Sequence, residues 1–320
     1  MTNFKYYFKV KWWNWFLGFP FISSPYFFMR RLIEGVPTRN VSDARFETAK
    51  RYRDTYEKYG NGKLEEAVCF EFGAGREMLI SMCLGVWGVK RIYSYDLTRH
   101  IRPELLNLTA SRIKEKIGYP EDSQPKLMNL KNFQQVLLED YHIDYRAPAD
   151  ASTTTLTDCS IDFVYANAVL EHVPWESLNS ILKECHRLLK PDGIIAFEVD
   201  YRDHARDGKS ISPYHFLRFS HNEWKNYTHC DGGHNRKRHK DYKELFKNTG
   251  FDIVREDPVS PLDESFVSEY AYPYKEVMGS QKKTAEELRQ SPIAADFNEY
   301  TLEELAVLAG FWILKKSRSM

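Results

Sequence analysis

The sequence predicts an α/β fold with a doubly wound, mostly parallel sheet of seven strands. Three observations predict it. Short runs rich in aromatic and β-branched residues recur along the chain. They alternate with stretches whose apolar positions fall at helical spacing, and the joints between them are short and carry Gly, Pro and Asn. Strand-helix-strand units joined in this way pack as a parallel sheet with helices on both faces.

The elements follow in order. Ser42 or Asp43 caps a polar helix running to about Lys58, which "YGNGK" closes. "AVCFEF" is the first strand, "REMLISMCLGVWG" a helix ended by glycine, and "RIYSYD" the second strand. Amphipathic stretches at about 101–118 and 127–140 precede "YHIDYRA", the third strand, and "IDFVYAN" is the fourth. Leu178, Ile181, Leu182, Cys185, Leu188 and Leu189 share one face of a helix that Pro191-Asp192-Gly193 is expected to stop in a turn. "IIAFEVD" then reads as a fully buried fifth strand. The alternation lapses over 201–239, which holds six of the ten histidines, with Ser220 and Glu223 forming a capping box for "HNEWKNY". A helix at "HKDYKELFKNTG" and strands at "FDIVRED" and "GFWILKKS" complete the chain. This divides it into an aromatic and basic arm (1–40), a core (41–200), a cap insertion (201–239) and the rest of the core (240–320).

At 320 residues the chain has room for one large domain with insertions or two modest ones. Lys plus Arg equals Asp plus Glu, at 45 each, which argues against a general nucleic-acid binder. The five cysteines, Cys69, Cys83, Cys159, Cys185 and Cys230, form no CxxC pair and read as small buried hydrophobes of a reducing compartment, the cytoplasm. Residues 1–33 carry three tryptophans, Lys5, Lys9, Lys11, Arg30 and Arg31, with no acid before Glu34. Pro20 and Pro25 break the apolar stretch below the ~20 residues a spanning helix needs. Aromatic rings flanked by cations suit a membrane interface; an arm packed across its own domain, or a homodimer face, is the alternative.

The chemistry concentrates at the strand ends. In "VCFEFGAGREML" the backbone passes close to a ligand at Gly73-Ala74-Gly75, and the amides of the following helix face its polar end. A third glycine at dinucleotide spacing is missing, and Glu71 on the strand suits an amine better than a phosphate. Asp96 ends the second strand, where a carboxylate takes both hydroxyls of a ribose. Asp150 stands twelve positions before Asp162, and "NAVLEHVP" follows the fourth strand.

In that order, "EFGAG", "YDL", "ADA", "VLEHV" and "LKPDG" resemble the motifs of class I S-adenosylmethionine-dependent methyltransferases, in particular the subgroup acting on small molecules. The resemblance covers about 60–200 and, more loosely, 240–318. It implies a Rossmann-like sheet with an antiparallel last strand, and S-adenosyl-L-methionine as cofactor. It places Glu71 near the methionine amino group, with Gly73, Ala74 and Gly75 along the methionine and ribose. Asp96 would hold the ribose hydroxyls, with Leu97 against the adenine. Asp150 would accept the adenine amino group beside Ala151, and Asn167 would open the turn under the methionine. Glu77 departs from the family, which commonly has a third small residue there.

The sulfonium already carries an activated methyl group, so the site must align a nucleophile and remove its proton. His204, directly after strand five and beside Asp203, is the first choice of base; His215, His221 and His172 are the others. His229, Cys230, His234 and His239 fit no closed zinc pattern, so no metal is expected, and Arg236-Lys237-Arg238 reads as a lid over an anionic group. The stretches "KSISPYHFLRFSHNEW" and "NRKRHKDYKELFKNTGF" are similar to the cap of methyltransferases encoded among bacterial surface-glycan genes. That similarity implies a sugar hydroxyl on a lipid- or nucleotide-linked glycan, or another small polar acceptor, with the arm at the inner face of the membrane. The competing readings are an inactive cofactor-binding scaffold and an NAD-dependent oxidoreductase.

A chain beginning at Pro37 is expected to keep its fold and cofactor affinity but lose salt-sensitive co-sedimentation with anionic liposomes, each basic residue near the surface contributing roughly 1 kcal/mol. Early melting would instead make the arm part of the core, and a change from dimer to monomer would make it a subunit face.

Overall fold

The central strands are buried on both faces, and successive side chains alternate between two apolar layers. In β4 (Ile161–Asn167), Phe163 and Tyr165 belong to one layer, Val164 and Ala166 to the other. The first layer receives α1 (Asp43–Tyr59), α2 (Leu79–Val86), α3 (Pro103–Lys116) and α4 (Phe133–Tyr141). The second receives α5 (Trp175–Leu188), through Leu178, Ile181, Leu182, Cys185 and Leu188. In the computed structural model the described residues are 43–119, 126–204, 211–227, 234–262 and 281–317. The N-terminal arm, Ser42, His229 and Cys230 lie outside them. Among the described residues no helix is long and apolar enough to cross a membrane.

The sheet has seven strands in the order β3-β2-β1-β4-β5-β7-β6. β1 (Val68–Phe72), β2 (Arg91–Tyr95), β3 (Ile143–Arg146), β4 and β5 (Leu189–Asp200) run parallel. β7 (Ala309–Lys316) lies antiparallel between β5 and β6 (Phe251–Val259), as the resemblance implied. The direction of winding reverses between β1 and β4, which opens a crevice at their carboxyl ends.

Three local expectations are corrected. The helix after the glycine turn begins at Leu79, because Gly75 to Glu77 form a turn and Met78, at φ 47°, is left-handed. The stretch 127–140 is helical only from Phe133, since the Asn129 and Asn132 side chains bond the loop's own amides. Pro191-Asp192-Gly193 does not end in a separate turn: β5 already starts at Leu189, paired with Ile161, and its register shifts before Ile194 pairs with Phe163. A Cβ at Gly193 would lie 2.7 Å from Leu189 Cδ1 and 3.0 Å from the Asp162 carbonyl, so only glycine passes through this irregularity without a shift.

The described part of 201–239 does not pack by itself. Tyr214, Phe216 and Leu217 share a cluster with Leu288 of α8 (Gln281–Gln290), Phe297, and Leu305 and Ala306 of α9 (Leu302–Ala306). Two segments separated in sequence by β6 therefore build one layer over the sheet's end. Within the first, the expected capping box forms, and Ser220 caps the single turn α6 (His221–Trp224). Between them, α7 (His239–Asn248) packs Tyr242 and Phe246 into the second layer and ends before Gly250, at φ 88°.

α1 is fixed to the sheet by polar groups as well as rings. Tyr52 rests 5.6 Å from both Tyr165 and Phe311 and donates its hydroxyl proton to the Ala166 carbonyl at 3.1 Å. Arg51, buried, pairs with buried Glu198 of β5 and lies 4.2 Å over the Phe311 ring. Arg51→Met strands the Glu198 carboxylate in the core and is expected to cost about 3–5 kcal/mol in urea denaturation. The Arg51→Met/Glu198→Leu pair should recover most of that loss; an equal loss in both would refute the pairing.

Candidate active site

The crevice starts at Gly73. Its φ of 73° suits glycine, and a Cβ there would stand 2.5 Å from Val169 in the turn after β4. The Gly73 amide donates to the Tyr95 carbonyl at 2.9 Å, so the β1 turn is braced by β2 as well. Gly75, at φ 70°, has nothing within 4 Å of the Cβ position and faces open space. Ala74 between them packs on the first apolar layer.

Glu71 lies under this turn, buried, and accepts a 2.5 Å hydrogen bond from Ser94 Oγ. Burial pushes its carboxyl up to about 7, against the hydrogen bonds from Ser94 and Ser81 and with the help of nearby Asp96. Asp96 is 9 % exposed. Burial raises its pKa, while His100 and the amides of Thr98, Gly75 and Leu97 favour its charged form. Leu97 beside it is 69 % exposed, an uncovered apolar side chain next to an acid. The Ala149 amide donates to the Asp96 carbonyl at 2.9 Å, which ties the loop carrying Asp150 and Ala151 to the end of β2. Asp150 is exposed, and its Oδ1 caps the Ser152 amide at 2.8 Å. Asn167, at the end of β4, takes the Tyr52 hydroxyl at 3.3 Å on its Oδ1. Glu77 is also accounted for: it pairs with Arg45 of α1, and its carbonyl accepts from Thr109 Oγ1 at 3.1 Å.

These residues fit an adenosine ligand with an aminoacyl end. Asp96 supplies acceptors where β2 stops, Leu97 an apolar surface beside it, and Gly75 an approach clear of side chains.

Across the crevice stands a second group. The rings of His172 and His204 are 4.7 Å apart, and His204 lies 5.2 Å from His234. His204 Nε2 is 3.5 Å from Asp200 Oδ2, so the carboxylate serving it comes from the end of β5 and not from the adjacent Asp203, which is buried. Burial opposes ionisation of Asp200, but the Arg202 guanidinium, at 2.7 and 2.6 Å, and His204 hold its carboxyl well below the usual range. His234 Nδ1 accepts from the Arg236 amide at 2.9 Å, so its Nε2 donates to the Asp200 carbonyl at 3.0 Å. Both of its nitrogens are thus occupied.

The other predicted residues fall elsewhere. His215 is buried beside Phe219, and burial lowers its pKa to about 4, which makes it a weak base. His221 Nδ1 accepts from Arg236 at 2.8 Å. Arg236 and Arg238 are buried and donate to backbone carbonyls of Phe216, Phe219, Tyr201 and Leu305, so they hold the cap and are not a lid for an anion. His239 stacks on Trp312 at 4.1 Å, and its Nδ1 lies 3.3 Å from the Tyr201 hydroxyl. Sequence reasoning missed Asp200, Glu171 and His234; the acid closing "FEVD" at a strand's carboxyl end was the available signal for the first.

A family model described as a methyltransferase domain matches residues 44–256, well over half of the chain. A search of curated proteins finds no match. Among solved structures, phosphoethanolamine N-methyltransferase 2 of Haemonchus contortus is similar at TM-score 0.46 and 14% identity over 84% of this chain and 53% of that one. An S-adenosylmethionine-dependent methyltransferase of Mesorhizobium loti is similar at 0.46 and 11% over 86% and 99%. One of Methanosarcina mazei is similar at 0.45 and 15% over 82% and 96%. The chain belongs to the methyltransferase-domain family.

Glu71 yields a pH test. Its folded pKa lies above the ordinary 4.5, so its contribution to stability is complete below about 4.5 and is lost as pH rises through about 7. Glu71→Gln should remove that slope, a difference of about 3 kcal/mol at most between pH 4.5 and 7.5 in denaturant titrations. Parallel profiles for the two proteins would refute it.

Proposed function

We propose that this chain, as a member of the methyltransferase-domain family, moves a methyl group from S-adenosylmethionine to a hydroxyl of a sugar or another small polar acceptor. The observation that carries the reading is the pairing, across one crevice, of an adenosine-fitted edge with a histidine backed by a carboxylate. Asp96, Leu97, Asp150 and Ala151 would hold the nucleoside. Glu71, Gly73, Ala74, Gly75 and Asn167 would hold the aminoacyl end. When bound, the cofactor supplies a methyl group activated by its sulfonium.

The chain's own residues do the rest. His204 accepts the acceptor's proton, and Asp200, kept ionised by Arg202, stabilises the imidazolium that results. His172 and His234 wall the ring and fix its position. The Gly73–Val169 contact sets the spacing between the two halves of the crevice, as in-line transfer requires. A sugar hydroxyl as acceptor is what the cap sequence suggests through its resemblance to methyltransferases encoded among bacterial surface-glycan genes. A lipid-linked glycan would bring the aromatic and basic arm to the inner membrane face.

Calorimetric titration with S-adenosylmethionine, S-adenosylhomocysteine and NAD separates this reading from an oxidoreductase: the first two should bind and NAD should not. Asp96→Ala should weaken S-adenosylmethionine by about 1.5–3 kcal/mol, the loss of a charge-assisted hydrogen-bond partner, and unchanged affinity would sink the ribose assignment. His204→Ala should leave S-adenosylhomocysteine binding intact and slow methyl transfer to a panel of nucleotide- and lipid-linked sugars by roughly 10²–10⁴. Normal turnover in that variant would remove His204 as the base.

A further inference from the structure

The turn after β4 contains an uncompensated acid. Glu171, in the single 3-10 turn Leu170–His172, is wholly buried, and neither carboxylate oxygen has a hydrogen-bond partner. Its own amide and that of Asp200 favour the charged form without completing a bond of normal geometry. A buried carboxylate left in this state costs several kcal/mol unless it is neutralised or meets a cation. Two imidazoles stand beside it: one ligand atom each from Glu171, His172 and His204 lie within 4.8 Å of one another.

We propose that Glu171, His172 and His204 form a binding site for a divalent transition-metal ion, open on the acceptor side of the crevice. Two imidazole nitrogens with one carboxylate oxygen select zinc, cobalt, nickel, manganese or iron over magnesium or calcium. Donor atoms about 2.0–2.2 Å from such an ion lie roughly 3.4 Å apart, so the set, now within 4.8 Å, closes by up to about 1.4 Å. The movement falls to His204, whose side chain is 35 % exposed, while Glu171 stays fixed in the core. The surroundings match what such a site requires. Asp200 Oδ2 at 3.5 Å from His204 Nε2 orients that ring, and its other nitrogen is the one available to an ion. His234, with both nitrogens bonded to backbone, is a wall of the site and not a ligand. Asn235 locks the turn by donating to the carbonyls of Leu170 and Val173 at 2.9 and 3.0 Å.

Three protein donors leave coordination positions for water or an acceptor hydroxyl, whose proton the ion would make easier to remove. His204 then serves either as a base, with the ion absent, or as a ligand, with the ion bound. The two roles exclude one another at a single nitrogen. The binding proposal does not depend on the methyl-transfer reading, because it is read out by metal uptake alone.

The test uses full-length, tag-free protein stripped with EDTA and titrated calorimetrically with ZnSO₄ and MgCl₂. S-adenosylhomocysteine is titrated alongside as the independent check on the cofactor half. One zinc per chain should bind, magnesium at least a hundredfold more weakly. Glu171→Gln, His172→Ala and His204→Ala should each weaken zinc at least tenfold, while His186→Ala, at the far end of α5, should not. Added Co²⁺ should produce visible ligand-field bands that are lost in His172→Ala. Should Glu171→Gln misfold by circular dichroism, His172→Ala and His204→Ala decide the matter. Absence of zinc uptake by the parent protein, or zinc affinity unchanged in those two variants, overturns the site.

Discussion

The close approach of Gly73 to Val169 is the contact on which the crevice depends. It brings the turn after β1 against the turn after β4 with no room for a methyl group between them. From that point backbone bonds run outward in both directions along the sheet's carboxyl edge. Gly73 bonds to Tyr95, Ala149 to Asp96, and Ala168 to Glu198, while Asn235 reaches from the cap to the carbonyls of Leu170 and Val173. Side chains that would face the ligand therefore project from loops whose main chain is already bonded to its neighbours, which limits how far any of them can drift.

Polar burial divides into two kinds. Arg51, Arg236 and Arg238 are buried cations whose donors meet a carboxylate or carbonyl oxygens, and they fasten elements together. Glu71 and Glu171 are buried acids whose charge is poorly supported, and both lie at the crevice. Arginine brings several donors in a fixed plane and meets several carbonyls at once, which makes it the better structural fastener. A carboxyl group shifted upward by burial is instead poised to respond to whatever binds beside it.

The sheet was legible in the sequence because its signals are local. Strand periodicity, the turn glycines and the helix face from Leu178 to Leu188 are decided within ten or fifteen residues. Gly73 and Asp96 could be placed for the same reason, each following a strand directly, and Asp150 lies in the loop after β3. The histidine group was only half legible. His204 could be picked out in the segment after β5, yet its carboxylate is Asp200, the last residue of that strand, and the sequence neighbour Asp203 was the misleading candidate. His234 joins the group only because Asn235 and Arg236 fold the cap back across the turn after β4, a contact between positions more than sixty residues apart. The role of Arg236 and Arg238 was hidden by the same distance. A run of three basic residues looks like a solvated or anion-binding surface until its carbonyl partners, as remote as Leu305, are seen.

The convergence on Arg238 bears on how such a cap can be exchanged. Its guanidinium donates to Tyr201 at the end of β5 and to Leu305 and Val307 in the segment leading into β7, so one side chain is the rivet between two pieces of chain that β6 keeps apart. A graft that carried only 201–239 from a relative would leave Leu305 and Val307 facing a foreign side chain. Exchange of this layer between relatives therefore has to move both pieces together with their shared arginine, and has to keep Asn235 on the turn after β4.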